Sequence, residues 1–513
     1  MKKNNKQKKV KNTKKGKIAT IIIRTFSFIV LIASIVLLIL FLKNINDLNM
    51  LPMKYFKIGA LVLIGIELLF ALICINKKKG GALLIILDII MIAIMVVQWF
   101  GISYIGKTQK FLKDNLMKDY DVDEYYVVAN IYSEIKDIKE ADGGKIYYYV
   151  DTDHLSKLKD ALKKKTTAKI EKEESITDSL LKLYTPENLV ILNSGTYQTL
   201  TANEEDTFGQ NIKIIDTIKI YIKKDKKSGN KPNSEITSKP FIIFLSGIDT
   251  RGKTLVKRSL SDVNMLIVVN PETKTILLVS IPRDSFVTLH GYGRKDKLTH
   301  AGSLGGLELS KSTVEDLMGV KADYYARVNF QAVINLVDTV GGVDVEEDPE
   351  ITKRFSCWTD RGCWIEPGVN HLDGRCALAF ARERYQYSKG DMQRNINQQK
   401  VLKALFSKMT SSPYIIIQYK SLLDAVDGTF ETDMPIEDIS ALVQYQLSDM
   451  SAWTFESANV TGGTGREVTY SGGSTPLSVV YPSQKTINEA KDAIAKVIAG
   501  ESLHPDEEQT TEE

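Results

Sequence analysis

The residues best suited to chemistry stand where apolar runs stop. Asp249 lies just beyond the run Phe241–Leu245, Asp262 precedes the run Met265–Val269, and Arg283-Asp284 follows the run Thr275–Ile281. A second cluster begins in ALAFARERY, residues 377–385, where Arg382 and Arg384 are separated by one residue. Asp391, Arg394 and Gln398 follow at spacings of three and four, which places them on one face of a helix. Two carboxylates brought together at strand ends could hold a hard cation such as magnesium through oxygen ligands. An arginine beside them could grip two phosphate oxygens at once. Two arginines one residue apart would point the same way if extended, and could clamp a diphosphate. Any one of the acids could equally cap a helix or turn. Capping and surface salt bridges explain less well why Arg375, Arg382 and Arg384 crowd a stretch with no lysine before Lys389.

Positioning such groups takes a sheet. After the buried-strand pattern FIIFL come two apolar runs joined by the turn-rich Asn270-Pro271-Glu272-Thr273-Lys274. Helix patterns are expected at about 303–318 and 330–340 with a strand at about 323–329 between them, and Gly341-Gly342 supplies a left-handed stop. Strands alternating with helices predict a layered α/β domain, its sheet covered on both faces, and ligand sites of such sheets gather at strand ends. Before it, residues 106–222 mix both patterns. Ile146–Val150 reads as a strand, and Leu155, Leu158 and Leu162 mark an amphipathic helix. The polar run 223–239 reads as a linker.

The N-terminal part carries its own signal. Residues 1–17 hold nine lysines and no acid, and three apolar runs follow at about Thr25–Leu42, Ile58–Ile75 and Gly81–Ile105. Each is long enough to cross a bilayer. Lys77–Lys79 would stay in the cytoplasm with the lysine tail, so three spans predict an extracytoplasmic C-terminal region. Such a tail beside an apolar run is a topology signal, and the near-balanced net charge of +4 gives no reason to expect nucleic-acid binding. Glu67 and Asp88 fall inside spans, where they could mark a proton path or, more plainly, hydrogen-bonded carboxyls in a small bundle.

Cys74 and Cys376 read as packing residues. Cys357 and Cys363 flank a short loop on the exported side and could close a disulfide. The five histidines lack the paired spacing of a zinc site, and His290, His300 and His371 read as hydrogen-bonded or surface residues rather than bases.

The stretches SGIDTRG (246–252), SDVNMLIVVNPETKTILLVSIPRDSFV (261–287), NHLDGRCALAFARERY (370–385) and GDMQRNINQQKVL (390–402) resemble, in order and spacing, the LytR-CpsA-Psr family of cell-wall ligases, and the preceding multispan anchor and accessory domain resemble its capsule-type branch. With these residue patterns the chain divides into a basic tail (1–17), a three-span anchor (18–105), an α+β accessory domain (106–222), a linker (223–239), a catalytic domain (240–500) that the resemblance implies is an αβα sandwich, and an acidic tail (501–513). The resemblance also implies transfer of a phosphoglycan, such as teichoic acid or capsule polymer, from polyprenyl diphosphate to peptidoglycan or a related wall acceptor, with magnesium assisting. By position, Asp249 and Asp262 would hold the metal, and Arg283, Arg382 and Arg384 the diphosphate. Arg394 and Gln398 would support that cluster, and Asp391 would orient an arginine or assist the acceptor hydroxyl. Wall-assembly proteins would be further partners. Two positions depart from the family pattern, Leu260 and Asn397, where arginine is common; Arg258, two residues before Leu260, is the candidate replacement. Alternative readings are a non-catalytic module that binds lipid-linked polymer, and a membrane-bound regulator.

Overall fold

A computed structural model of the chain describes residues 2–76, 81–111, 120–149, 154–202, 207–223, 230–250, 254–347, 355–357, 362–388, 390–410, 421–473 and 475–504. Outside these fall the Lys77–Lys79 cluster, most of the loop between Cys357 and Cys363, part of the 223–239 linker and most of the acidic tail. The chain divides into two compact units, residues 1–113 with 436–450, and residues 114–435 with 451–513.

In the first unit, helices α1 (Lys2–Leu48), α2 (Met53–Ile75) and α3 (Gly81–Phe111) contain three segments long and apolar enough to span a membrane, Ile18–Leu48, Met53–Ile75 and Gly81–Thr108. Val30, Leu31, Phe70 and Met91 form their common core, while many other apolar side chains face outward, as a lipid-facing bundle requires. Both acids are bonded between helices. Ser27 Oγ donates to Asp88 Oδ2 at 2.8 Å and Ser34 Oγ to Glu67 Oε2 at 2.9 Å. They are bundle contacts, as the plainer expectation had it.

The second unit begins with a five-stranded sheet of β1 (Tyr120–Asn130), β2 (Lys145–Tyr148), β3 (Lys169–Lys172), β4 (Leu189–Asn193) and β5 (Ile212–Lys223), in the order β3-β2-β4-β1-β5. Helices α4 (Leu155–Lys163), α5 (Ile176–Leu181) and α6 (Ser194–Thr201) pack with it. The leucines read as one helix face are buried where expected, Leu158 and Leu162 against Tyr125, Val127 and Ile146. At the start of α6, the Asn193 side chain accepts from Thr196 N at 2.7 Å, a helix cap.

The larger sheet contains β6 (Phe241–Ile248), β7 (Ser261–Asn270) and β8 (Thr275–Ile281). Beyond the short hairpin of β9 (Phe286–Thr288) and β10 (Lys295–Lys297) come α7 (Leu298–Met318), β11 (Tyr324–Asn329) and α8 (Phe330–Thr339). The chain continues through β12 (Val343–Glu347), β13 (Phe355–Cys357), β14 (Cys363–Ile365), β15 (Gly368–Leu372), α9 (Gly374–Arg382), α10 (Asp391–Thr410), β16 (Phe430–Thr432) and β17 (Thr454–Asn459). The large-sheet order is β16-β11-β6-β7-β8-β17. Val314 and Met318 of α7, with Ile487, Ala490, Ile494 and Val497 of the C-terminal helix Gln484–Ala499, cover one face against Phe244, Leu266, Val268 and Leu277. On the other face Gln399 of α10 donates to the carbonyls of Leu278 and Ala458, both at 3.0 Å, bridging β8 and β17. Helices on both faces of a mixed sheet make the layered α/β domain that the alternation predicted, the αβα sandwich that the resemblance implied. The helix expected from 303 starts earlier, at Leu298, and breaks at Gly306 (φ 71°), where a Cβ would stand 2.7 Å from the Lys257 carbonyl oxygen.

Cys357 stands opposite Cys363 in the β13–β14 register, both buried, and no disulfide joins them. His290, His300 and His371 each place Nδ1 on a carboxylate, of Asp316 (2.7 Å), Asp296 (2.6 Å) and Asp344 (2.6 Å).

Candidate active site

Strand direction gathers the site. β7 runs antiparallel to both β6 and β8, so the end of β6, the start of β7 and the end of β8 share one sheet edge. Ser261 sits opposite Ile248, and Asn264 opposite Ile281. Asp249 therefore follows β6, Asp262 is the second residue of β7 rather than a residue before it, and Arg283 lies two residues past β8.

Arg283 Nη1 donates to Asp262 Oδ1 at 2.9 Å, and Thr299 Oγ1 reaches the same oxygen at 3.4 Å. Arg382 Nη2 stands 3.5 Å from Asp249 Oδ2, its guanidinium 4.7 Å from the Phe330 ring centroid. Asp391 opens α10 and takes Arg394 Nη1 at 3.1 Å and Arg384 Nη1 at 3.9 Å. Burial pushes the Asp262 carboxyl up, but Arg283, Arg394 and Arg382 outweigh it and hold the group below the usual carboxylate range. Asp284 is lowered in the same way, burial being overcome by Lys297, Arg283 and Arg394. Arg394 shows the opposite balance, with burial and the neighbouring Arg283 destabilising its cation more than Asp391 and Asp262 support it. Arg394 Nε is buried with no hydrogen-bond acceptor among the described residues, and Arg283 Nε has the Asp284 carboxylate only at ion-pair distance, 3.6 Å. These ion pairs join Arg283, Arg382, Arg384, Arg394 and Lys297 to Asp249, Asp262, Asp284 and Asp391, one more cation than acid, a setting that favours an added anion.

The arginine pair differs from expectation. Arg382 is the last residue of α9, and Arg384 stands beyond the extended residue Glu383 in a turn, so the two are not neighbours on a strand. They part, Arg382 toward Asp249 and Arg384 toward Asp391 and the Tyr385 ring. Glu383 makes the turn: its Oε1 accepts from the amides of Arg384 (2.9 Å), Tyr385 (2.8 Å) and Gln386 (3.2 Å). Sequence reasoning passed over Glu383, because an acid between two arginines reads as a charge partner and not as a backbone acceptor.

The two departures are both used in packing. Asn397 is fully buried, donating to the Phe380 carbonyl at 3.1 Å and accepting from Gln393 at 3.1 Å, which ties α10 to the end of α9 two residues before Arg382. Leu260 is buried, and its amide donates to Gln198 Oε1 at 2.9 Å. Arg258 offers its carbonyl to Ser194 Oγ at 2.7 Å, while its guanidinium forms no ion pair or hydrogen bond among the described residues. The Gln398 side chain is likewise unbonded among them.

Carboxylate oxygens, the ligand type that a magnesium ion takes, are present at this edge. Asp249 is half-exposed, and no described donor reaches Asp262 Oδ2. No group of three metal-ligating His, Cys, Asp or Glu side chains forms among the described residues. A cation here would complete its shell with water and phosphate oxygens, as magnesium does.

The family model described as LytR_cpsA_psr matches residues 209–491. The polyisoprenyl-teichoic acid–peptidoglycan teichoic acid transferase TagU of Bacillus mycoides (strain KBAB4) is 35% identical over 239 residues, covering 46% of this chain and 72% of the relative. The protein of that name from Enterococcus faecalis (strain ATCC 700802 / V583) is 31% identical over 230 residues, covering 45% and 72%. Among solved structures, B. subtilis TagV aligns at 28% identity and a TM-score of 0.43, over 52% of this chain and 99% of that one. With its sandwich fold and arginine-rich sheet edge, and a family match over more than half its length, this chain belongs to the LytR-CpsA-Psr family.

Proposed function

We propose that the chain is a phosphotransferase that moves a phosphoglycan, of the teichoic-acid or capsule type, from polyprenyl diphosphate onto peptidoglycan at the outer face of the membrane. The carrying observation is the cluster of Arg283, Arg382, Arg384 and Arg394 around Asp249, Asp262 and Asp391 at one sheet edge. Relatives named for polyisoprenyl-linked teichoic acid transfer to peptidoglycan support the substrate class. The three apolar helices support an anchor beside a lipid-linked donor, with the lysine tail inside and the catalytic region outside.

An acceptor hydroxyl attacks the glycan-linked phosphorus, the bond to the bridging oxygen breaks, the hydroxyl's proton passes to water or to the leaving phosphate, and polyprenyl monophosphate leaves. Such a step needs positioning and charge neutralisation more than covalent catalysis. Arg283, Arg382 and Arg384 bind the diphosphate and stabilise charge developing on the leaving phosphate. Arg394 supports them from its buried position, and Asp391 orients Arg384 and Arg394. Arg258 and Gln398 are remaining donors for phosphate or glycan. Asp249 and Asp262 would hold magnesium, which when bound supplies charge neutralisation on the diphosphate oxygens.

The test uses the full chain in proteoliposomes with a polyprenyl-diphosphate-linked saccharide, peptidoglycan fragments and magnesium. Release of polyprenyl monophosphate together with saccharide joined to the fragments is expected. Tight donor binding without either product, across a panel of donors, would replace the transferase with a polymer-binding module.

A further inference from the structure

The residues leading into Asp262 are held by the first sheet's helix α6. The carbonyl oxygen of the Gln198 side chain accepts two bonds, from Leu260 N and from Ser259 Oγ, both at 2.9 Å. Four residues earlier on α6, Ser194 Oγ donates to the Arg258 carbonyl at 2.7 Å, and Lys257 N donates to the Val122 carbonyl of β1 at 2.7 Å. We propose that Gln198 is a positioning residue for the Asp262 carboxylate, acting through Ser259 and Leu260; the inference rests on the transfer chemistry proposed above.

β7 begins at Ser261, so the amide of Leu260 lies just outside the strand and needs an acceptor when buried. Gln198 supplies it two residues before Asp262. A glutamine carbonyl has two lone pairs, and both are spent on this segment. The hold also reaches Asp262 by a second route. Gly195 of α6 approaches Ser303 of α7 so closely that a Cβ would stand 2.2 Å from the Ser303 carbonyl oxygen, and Thr199 Oγ1 donates to Ser303 Oγ at 2.9 Å. Ser303 is one turn along α7 from Thr299, whose hydroxyl reaches Asp262 Oδ1. Between them, Ser259 N donates to the Gly302 carbonyl at 3.2 Å, and a Cβ on Gly302 would stand 2.4 Å from the Ser259 carbonyl oxygen. Arg327 of β11 adds a donor to the Lys257 carbonyl at 3.1 Å. Helix α6 therefore fixes both the strand that carries Asp262 and the helix turn that touches it. Leu260, at a position where the resemblance led us to expect an arginine, contributes its amide to this docking.

The measurement pairs amide hydrogen exchange over residues 259–264 with transfer kinetics, on the full chain in proteoliposomes. Gln198→Leu keeps the side-chain bulk and removes the acceptor. It is expected to speed exchange in that segment by about tenfold and to lower kcat by about tenfold. KM for the lipid-linked donor should stay within about twofold, because the diphosphate-gripping arginines lie on other elements. Gln198→Glu, which keeps the acceptor, should restore both. Ser259→Ala removes one of the two bonds with α6 intact, and should move both readouts less far in the same direction. Unchanged exchange at 259–264 in Gln198→Leu would overturn the proposal. So would exchange that rises uniformly over both sheets with kcat per folded molecule unchanged, since Gln198 would then be a general fold contact. A wild-type chain that transfers nothing counts against the transfer chemistry, and the exchange result alone then decides whether Gln198 positions this segment.

Discussion

Arg283 Nη1 and Asp262 Oδ1, 2.9 Å apart, join the chain just past β8 to the second residue of β7, with the arginine side chain a quarter exposed and the acid nearly buried. The pair lies between two antiparallel strands at the edge where the other charged groups collect. A buried pair of this kind adds little net stability against an apolar pair, yet breaking it strands a charge. Arg283→Met leaves the Asp262 carboxylate with one fewer hydrogen bond in a desolvated place. It should lower unfolding free energy by about 3–5 kcal/mol, read from denaturant unfolding in detergent micelles. A change under about 1 kcal/mol would mean that Arg382 and Arg394 neutralise Asp262 unaided.

Asn397 should behave as a strut. It bonds the Phe380 carbonyl just ahead of Arg382 and accepts from Gln393. Asn397→Leu leaves both partners unsatisfied and should cost about 1–3 kcal/mol. Transfer should also fall, as the end of α9 loosens. Asn397→Arg should not raise transfer, since the position is fully buried; a gain with arginine would show that the position faces substrate.

Glu315 gives a pH dependence whose sign can be worked out. Burial raises this carboxyl, but Lys321 (2.7 Å), the Ala322 amide (3.0 Å) and Lys311 (3.1 Å) together lower it below its usual value. The folded pKa thus lies under the unfolded value of about 4.3. The stabilisation is complete above the unfolded value and is lost as pH falls through the folded one. Thermal unfolding of wild type and Glu315→Gln should differ most at neutral pH and converge on acidification below about pH 4. A difference constant down to about pH 3 would contradict the assignment.

Within the first unit, Ser27→Ala removes the donor to Asp88. The three-helix bundle should lose about 0.6–2 kcal/mol, seen as a lower midpoint in micelles, with no loss of transfer per folded molecule. A selective loss of transfer would return Asp88 to the proton-path reading.

The spans, the sheet edge and the charged residues were legible because length, apolar periodicity and strand ends are local properties. Asp249, Asp262 and Arg283 stood at the ends of apolar runs, and the resemblance grouped them; the antiparallel pairing of β7 with β6 and β8 is what brings them to one edge. What stayed hidden depends on tertiary hydrogen bonds. No glycine or proline stops α9 after Arg382; the stop comes from Glu383 accepting three following amides, so the condition under which the two arginines would point the same way, an extended chain through both, is not met. Asn397 and Leu260 look like missing arginines until their partners Phe380 and Gln198, 17 and 62 residues away, are seen. Nothing local marks Gln198, a polar residue on a short helix of another sheet.

The most direct test is Arg382→Ala in the proteoliposome assay, with product formation and donor binding measured side by side. Arg382 is the arginine beside Asp249, its side chain open enough to meet a ligand. The account predicts that transfer falls by at least about 100-fold while donor binding weakens by no more than about tenfold, because Arg283, Arg384 and Arg394 remain. Transfer at the wild-type rate would contradict it.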